Sequence, residues 1–368
     1  MSQSTPSRLS RIAGRLRDTV LPRRAPGARP QDSVKHIDLA LQGGGAHGAF
    51  TWGVLDALLE DGRLVFDAIS GTSAGAMNAA VLVDGLTRGG APGARAQLDK
   101  FWRGVSREGG ALGAAEDVLD RLFGFWHLPS FSPFAYYRRL AGLVSPYAMN
   151  PLNINPLKEL VGTLIDFEAV RACRSPRLHI SATDVQTGKI KVFSGAEITA
   201  EALAASAALP LLFHAVEIGG RAYWDGGYMG NPALFPFFEG GGAQDILLVQ
   251  INPVERPEVP KTAGAIMERV SEITFNASLL REFRAIDFVN RMLEEKRLDP
   301  KRYRHNRLHR IEADKALAEA GGATKLDTSW RFFRELHKAG HRAGTAWLAA
   351  HFDDIGVRAT LDLKAEFM

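Results

Sequence analysis

The sequence predicts a three-layer α/β fold with a mainly parallel central sheet, and three observations carry that prediction. Residues 37–41 and 64–70 are apolar runs of strand length, separated by one stretch of helical period. Each run ends in a loop of small residues, and a helical pattern follows each loop. A strand–helix–strand–helix order with a right-handed crossover makes the two strands parallel.

The elements follow in order. Ala49, Trp52, Leu55 and Leu59 recur at helical spacing, and Gly62 is a stop signal. A second helix begins just past Ser73. The run TRGGAPGARAQ, from Thr87, reads as a linker, and residues 96–105 and 114–123 read as helices. Residues 123–157 are broken by prolines and rich in aromatics (Phe123, Phe125, Trp126, Phe131, Phe134, Tyr136, Tyr137, Tyr147). Such a stretch fits a cap or lid over a pocket as well as core filling. NPLNINPL predicts a turn and then a helix start.

Residues 178–185 and 190–193 read as strands joined by a turn at 186–188. Residues 200–208 form an alanine-rich helix stopped by Pro210, with Ala207 and Ala208 expected near a site. AVEI, GG and RAYW form a hairpin that leads into Asp225, Gly226 and Gly227. Residues 246–251 are the last clear sheet member. Residues 262–298 keep helical period, 308–311 could add a late strand, and 329–351 form an amphipathic helix. The expected division is a basic tail at 1–34, a catalytic domain at 35–255 and a mainly helical C-terminal extension at 256–368.

Composition narrows the function. The 368 residues are 46% hydrophobic, enough for a sizeable core. Cys173 is the single cysteine, so no internal disulfide framework exists and a reducing compartment is favoured. No apolar run reaches the ~18–20 residues that span a bilayer. Together these point to the cytoplasm, with peripheral contact at the inner membrane surface left open. The charge is uneven: residues 1–34 hold seven arginines against Asp18 and Asp32, while the whole chain is only +4. That composition suits a disordered tail. Leu9, Ile12, Leu16 and Val20 could also line a short helix on an anionic membrane. No nucleic-acid module follows the tail, and nothing has metal-ligand spacing.

The chemistry gathers in three short loops. The glycine loop runs through Gly43, Gly44, Gly45, Ala46, His47 and Gly48. Residues without side chains let backbone N–H groups face an anion closely. The second loop, Gly71–Thr72–Ser73–Ala74–Gly75, has the G-x-S-x-G form of a sharp strand-to-helix turn that presents a serine hydroxyl. A serine beside N–H donors suits acyl transfer. In the third loop, Asp225 precedes Gly226 and Gly227, and its side chain can turn back into a crevice.

Other chemistries fit less well. Gly43, Gly45 and Gly48 match a dinucleotide fingerprint, but that site wants an acid at the end of the second strand. Here that end is Ser70, Gly71, Thr72 and Ser73, with Asp67 inside the strand. A P-loop needs Gly-Lys-Ser/Thr where this chain has Ala46, His47 and Gly48. No cofactor is expected. A Ser–His pair would draw on His305, His309, His337, His341 or His351, which sit in charged, helical sequence.

With these motifs in hand, the chain resembles a bacterial patatin-like phospholipase. GGGAHG at 43–48, GTSAG at 71–75 and DGG at 225–227 occur in the family's order and spacing, supported by SATDVQTGK and ASAALPLLF. The resemblance covers about residues 36–255. It implies a patatin-type fold and hydrolysis of a lipid ester, without a metal, through a Ser–Asp dyad. Ser73 would be the nucleophile, Asp225 the base, and Gly43 to Gly48 the oxyanion loop. Many members carry Arg or Lys where this chain has His47. Another ester, such as a storage polyester or thioester, stays open as substrate, as does a non-catalytic lipid-binding role. The C-terminal part could also form a homo-oligomer contact.

Overall fold

The structure is a computed structural model that describes residues 34–106, 145–238, 242–313, 325 and 327–367. The expected tail, the helix at 114–123 and the aromatic stretch up to residue 144 lie outside the described residues. Lys35–Met368 form one compact unit.

Among the described residues one sheet holds eight strands: β1 (Lys35–Leu41), β2 (Leu64–Thr72), β3 (Arg177–Asp184), β4 (Ile190–Ser194), β5 (Val216–Ile218), β6 (Arg221–Asp225), β7 (Asp245–Gln250) and β8 (Arg307–Glu312). Their order is β5-β6-β3-β2-β1-β7-β8, with β4 also pairing β3. β3, β2, β1, β7 and β8 run parallel, whereas β4, β5 and β6 join antiparallel. The expected parallel pair and the hairpin turning at Gly219 and Gly220 are both present. So is the late strand, which pairs with β7 in parallel.

The strands separate two apolar layers because side chains alternate across a sheet. Ile37, Leu39, Leu41, Leu247 and Val249 face one cluster. Ala40, Ile246, Leu248 and Leu308 face the other. Into the first pack α1 (Gly48–Asp61), α2 (Ala74–Val105) and the late helix Trp330–His351. Three short helices, α3 (Pro146–Met149), α4 (Pro156–Leu164) and α5 (Phe167–Ala172), lead to β3, and α6 (Ala200–Ser206) precedes the hairpin. The proline at the first turn of α4 is where NPLNINPL predicted a start. The second layer is covered by α7 (Ala263–Glu294) through Leu279, Phe283 and Ile286. The chain ends with α8 (Trp330–His351) and α9 (Leu363–Phe367).

Two features differ from the sequence reading. The linker at Thr87 is instead a kink within α2. Gly89 and Gly90 leave helical geometry, with Gly90 at φ +60, and the helix resumes at Pro92, a residue suited to a first turn. Helix α1 is also buried nearly all round, not along one stripe. The sheet covers one side and α8 the other. Their crossing is close because glycines meet backbone. A Cβ on Gly53 would land against the His337 carbonyl, and one on Gly340 against the Phe50 carbonyl.

Gly340→Ala is therefore expected to lower stability by about 1–3 kcal/mol, since the added methyl meets backbone and must push the two helices apart. Gly89→Ala has open space around it and should stay within about 0.5 kcal/mol of the parent. Urea unfolding midpoints of the two variants check both expectations.

Candidate active site

Ser73 sits between β2 and α2 with φ 54 and ψ −122, a backbone conformation that L-residues other than glycine seldom adopt. Its small neighbours make this turn feasible. A Cβ on Gly75 would strike the Leu41 carbonyl, and one on Gly71 would lie 2.6 Å from the Gly75 carbonyl oxygen. The Ser73 N–H donates to Ser206 Oγ at 2.9 Å, which ties the turn to the end of α6. The side chain lies at the carboxyl end of a parallel strand, where open α/β sheets place their sites.

The glycine loop lies directly alongside. A Cβ on Gly43 would come within 2.8 Å of Ser73 Cβ, and Gly45 has φ +60. The Gly43 N–H is occupied, donating to Asn231 Oδ1 at 2.7 Å. The amides of His47 and Gly48 are also used, donating to carbonyls of Gly44, Gly45 and Ala46. Gly44, Gly45 and Ala46 are the loop residues that line the cavity and have amides outside these bonds.

Polar side chains brace the loop from beneath. Gln42 Oε1 accepts from the amides of Ile251 and Asn252, and Gln42 Nε2 donates to Asn276 Oδ1. Asn252 Nδ2 donates to the Gly43 carbonyl at 2.6 Å, while Asn252 Oδ1 accepts from Lys325 Nζ at 2.8 Å.

Asp225 arrives from the opposite side of the sheet order. β6 pairs antiparallel with β3, setting Asp225 opposite Ala182. The Asp225 N–H donates to the Ala208 carbonyl, and its own carbonyl accepts from Thr183 Oγ1. Asp225 Oδ1 accepts from the Gly227 N–H at 2.7 Å. The glycines are required by space: a Cβ on Gly226 would strike the Ser181 carbonyl.

The carboxyl is fully buried, and burial pushes its pKa up to about 7. The Gly227 amide and the nearby Ser73 hydroxyl pull it back less strongly. That hydroxyl is close enough to act on the carboxyl electrostatically. Asp225 Oδ1 accepts from Gly227, and Asp225 Oδ2 has no partner among the described residues.

Ser73, Asp225, Gly44 and Gly45 line one cavity of about 220 Å³. Its walls are mostly apolar, with Met77, Phe101, Trp102, Leu160, Leu212 and Phe333 among them. Ala207 lines it as the sequence suggested, and Ala208 anchors Asp225. His47 is buried behind the loop, and its pKa is lowered to about 3, first by burial and then by the charges of Lys325 and Arg256. It is therefore neutral at pH 7. Lys325 lines the cavity, and its own pKa is lowered by burial.

The five late histidines serve elsewhere. His337, His341 and His351 lie on α8 and face Asp56, Glu60 and Asp354. His305 faces Glu294. His309 lies on the late strand: it is fully buried on β8 and bonds Asp245 and Thr360. No cluster that could hold a metal occurs among the described residues.

Sequence reasoning missed Gln42, Ser206, Asn231, Asn252 and Lys325 as site supports. Gln42 and Asn231 directly adjoin recognised motifs, which is a usable signal. Ser206 lies within the ASAALPLLF run, whereas Asn252 and Lys325 carry no such signal.

A strained serine and a buried carboxylate at the edge of a parallel sheet define a class of α/β site suited to acyl chemistry. A family model described as patatin-like phospholipase matches residues 39–238. The chain belongs to the patatin-like phospholipase family, whose members are lipid hydrolases. Among solved structures it is similar to VipD from Legionella pneumophila, at 15% identity and a TM-score of 0.40, covering 86% of this chain and 67% of that one. It is also similar to a chain of the heterodimeric ExoU–SpcU complex of the Pseudomonas aeruginosa type III secretion system. There the identity is 15% and the TM-score 0.39, with 87% of this chain and 52% of the other covered, about half its length. No curated protein matches the sequence. Among the described residues no helix is long and apolar enough to cross a membrane.

A carboxyl whose pKa is raised by folding favours the native state in its neutral form. The stability associated with it is full below the ordinary carboxylate pKa and is lost as pH rises to about 7. Asp225→Asn stays neutral and can still accept from the Gly227 amide. Its stability relative to the parent should therefore be greater at pH 8 than at pH 5, read from urea unfolding at both values.

Proposed function

We propose that the chain hydrolyses a lipid ester through an acyl-enzyme, with Ser73 as nucleophile and Asp225 as general base. The observation that carries this reading is the pairing of a strained Ser73 with a buried carboxyl near pKa 7 on an apolar cavity. A base poised near the working pH exchanges protons most effectively.

In the first half-reaction Ser73 Oγ bonds to the ester carbonyl carbon while its proton passes to Asp225. The carbonyl oxygen takes up negative charge. In this reading the amides of Gly44 and Gly45, with that of Ala74, receive it, and each such donor is typically worth ~10²–10³ in rate. The bond to the alcohol oxygen then breaks, and that oxygen leaves with the proton from Asp225. In the second half, water adds to the acyl carbon and gives a proton to Asp225. The bond to Ser73 Oγ breaks, the acid departs, and the proton returns to the serine. The Ser73 N–H already serves Ser206, so it holds the nucleophile's backbone and not the oxyanion. The apolar walls suit a hydrocarbon chain, which supports a lipid over a small polar ester.

Intact mass after incubation with a fluorophosphonate should show one adduct on the parent and none on Ser73→Ala. No adduct on the parent, with or without vesicles, would favour a lipid-binding protein. Asp225→Asn should lower turnover of a soluble ester by about 10²–10⁴-fold. Because the base must be ionised, parent activity should rise with pH to a midpoint near 7 and level off above it. That ascending limb should disappear in the variant.

A further inference from the structure

The first half of α7 carries its polarity the reverse way for a helix between a protein core and water. Glu272 and Asn276 are buried at 1% and 3% exposure, while Ile266, Met267, Val270 and Ile273 are 44–61% exposed. The inner side chains have work to do. Glu272 pairs with Arg256 and Arg269, and Asn276 bonds Gln42 beneath the glycine loop. The outer side chains at 266, 270 and 273 fall on one stripe, at the spacing of a helix face.

The place of this stripe matters as much as its character. Asn276 is level with Gln42, at the carboxyl end of β1. Asn290 is level with Asn306, just before β8 begins. α7 thus runs antiparallel to the parallel strands. Residues 263–275 project past their carboxyl edge by roughly 18 Å at 1.5 Å per residue. That is the edge where Ser73 and Asp225 lie. Phe275, on the inner side of the same segment, lines the cavity.

Two turns below Ile273 on the same side stands Arg281, exposed to solvent. The acids of the projecting segment, Glu268 and Glu272, both pair with Arg256, so they do not oppose this charge.

We propose that the stripe of Ile266, Val270 and Ile273 docks on an anionic phospholipid bilayer, with Arg281 at the headgroup level. The proposal rests on the lipid-ester reading for its occupant. Apolar side chains on a projecting helix gain by entering the acyl boundary, and a neighbouring cation gains from anionic headgroups. A docked chain receives its substrate at the cavity without passing a hydrocarbon tail through water. A second copy of this chain in a parallel two-fold contact on this stripe fits less well, because it sets Arg281 opposite its own counterpart.

The test uses the full chain with Ser73→Ala, sedimented with sucrose-loaded vesicles of phosphatidylcholine with or without phosphatidylglycerol. At about 0.5 M NaCl the charges of the N-terminal arginines are strongly screened, so the apolar stripe governs binding. Ile266→Asp with Ile273→Asp should lower the partition coefficient about tenfold or more. The same double variant with Ser73 intact should turn over a soluble ester at the parent rate. At low salt, Arg281→Glu should weaken binding to vesicles containing phosphatidylglycerol more than to phosphatidylcholine alone. Unchanged partition of the double variant overturns the proposal. So does a dimer-to-monomer change in sedimentation velocity without a change in partition, which assigns the stripe to a second copy. If the parent hydrolyses no ester and partition still depends on Ile266 and Ile273, the docking surface stands and the catalytic reading falls.

Discussion

Gly43 and Ser73 face each other across a gap that has no room for a methyl group. The same holds two residues away on each loop, where Gly75 closes on the carbonyl of Leu41. These contacts join the ends of β1 and β2, so two loops separated by a whole helix in sequence act as one surface. The strained backbone at Ser73 persists because its surroundings fix it from several sides. The Leu41 backbone packs below it, the Ser206 hydroxyl takes its amide, and α2 begins immediately after. The third loop joins through Asn231, whose side chain accepts from Gly43 six residues after Asp225 has ended β6. Backbone contact therefore sets the distances between the three motifs, and side-chain choice matters only where chemistry or bracing needs it.

Burial then shapes the electrostatics of this surface. Asp225 is pushed up because its carboxyl has one amide partner and no cation. Asp245, by contrast, is also desolvated, but it receives bonds from His309 and Arg307, and its pKa falls to about 2. The two aspartates each lie at an end of a strand, and their difference comes from partners. His47 follows the same logic with opposite sign, since burial and nearby cations both disfavour its charged form. The site thus presents a poised carboxyl without a charged histidine near it.

Much of this was legible in the sequence for a local reason. Apolar runs ended by glycines, a G-x-S-x-G turn and an Asp-Gly-Gly turn each report on their own few residues, so a single chain reveals them. What was hidden depends on partners distant along the chain. Gln42 finds Asn276, and Asn252 finds Lys325, only after folding. The polar inner face of α7 reads as an exposed face for the same reason. β8 is hard to read because Arg307 and Arg310 interrupt its apolar pattern; each is balanced by an acid, Asp245 and Glu366. The kink in α2 reads as a linker because two glycines usually end a helix, whereas here the chain re-enters helical geometry at once.

The close crossing of α1 and α8 bears on where the family's shared portion stops. The match ends at residue 238, yet the outer side of α1 is covered by a helix that begins at Trp330. Glycines on both helices bring their backbones together, leaving no layer of side chains that could serve as a solvent-facing surface if they parted. A chain cut at the family boundary would bare Phe50 and Val54, which water does not reach in the whole protein. It would also lose β7 and β8, turning β1 from an interior strand into an unpaired edge. The recognisable unit of sequence is thus shorter than the packed unit, and the later segments cover the scaffold of the site.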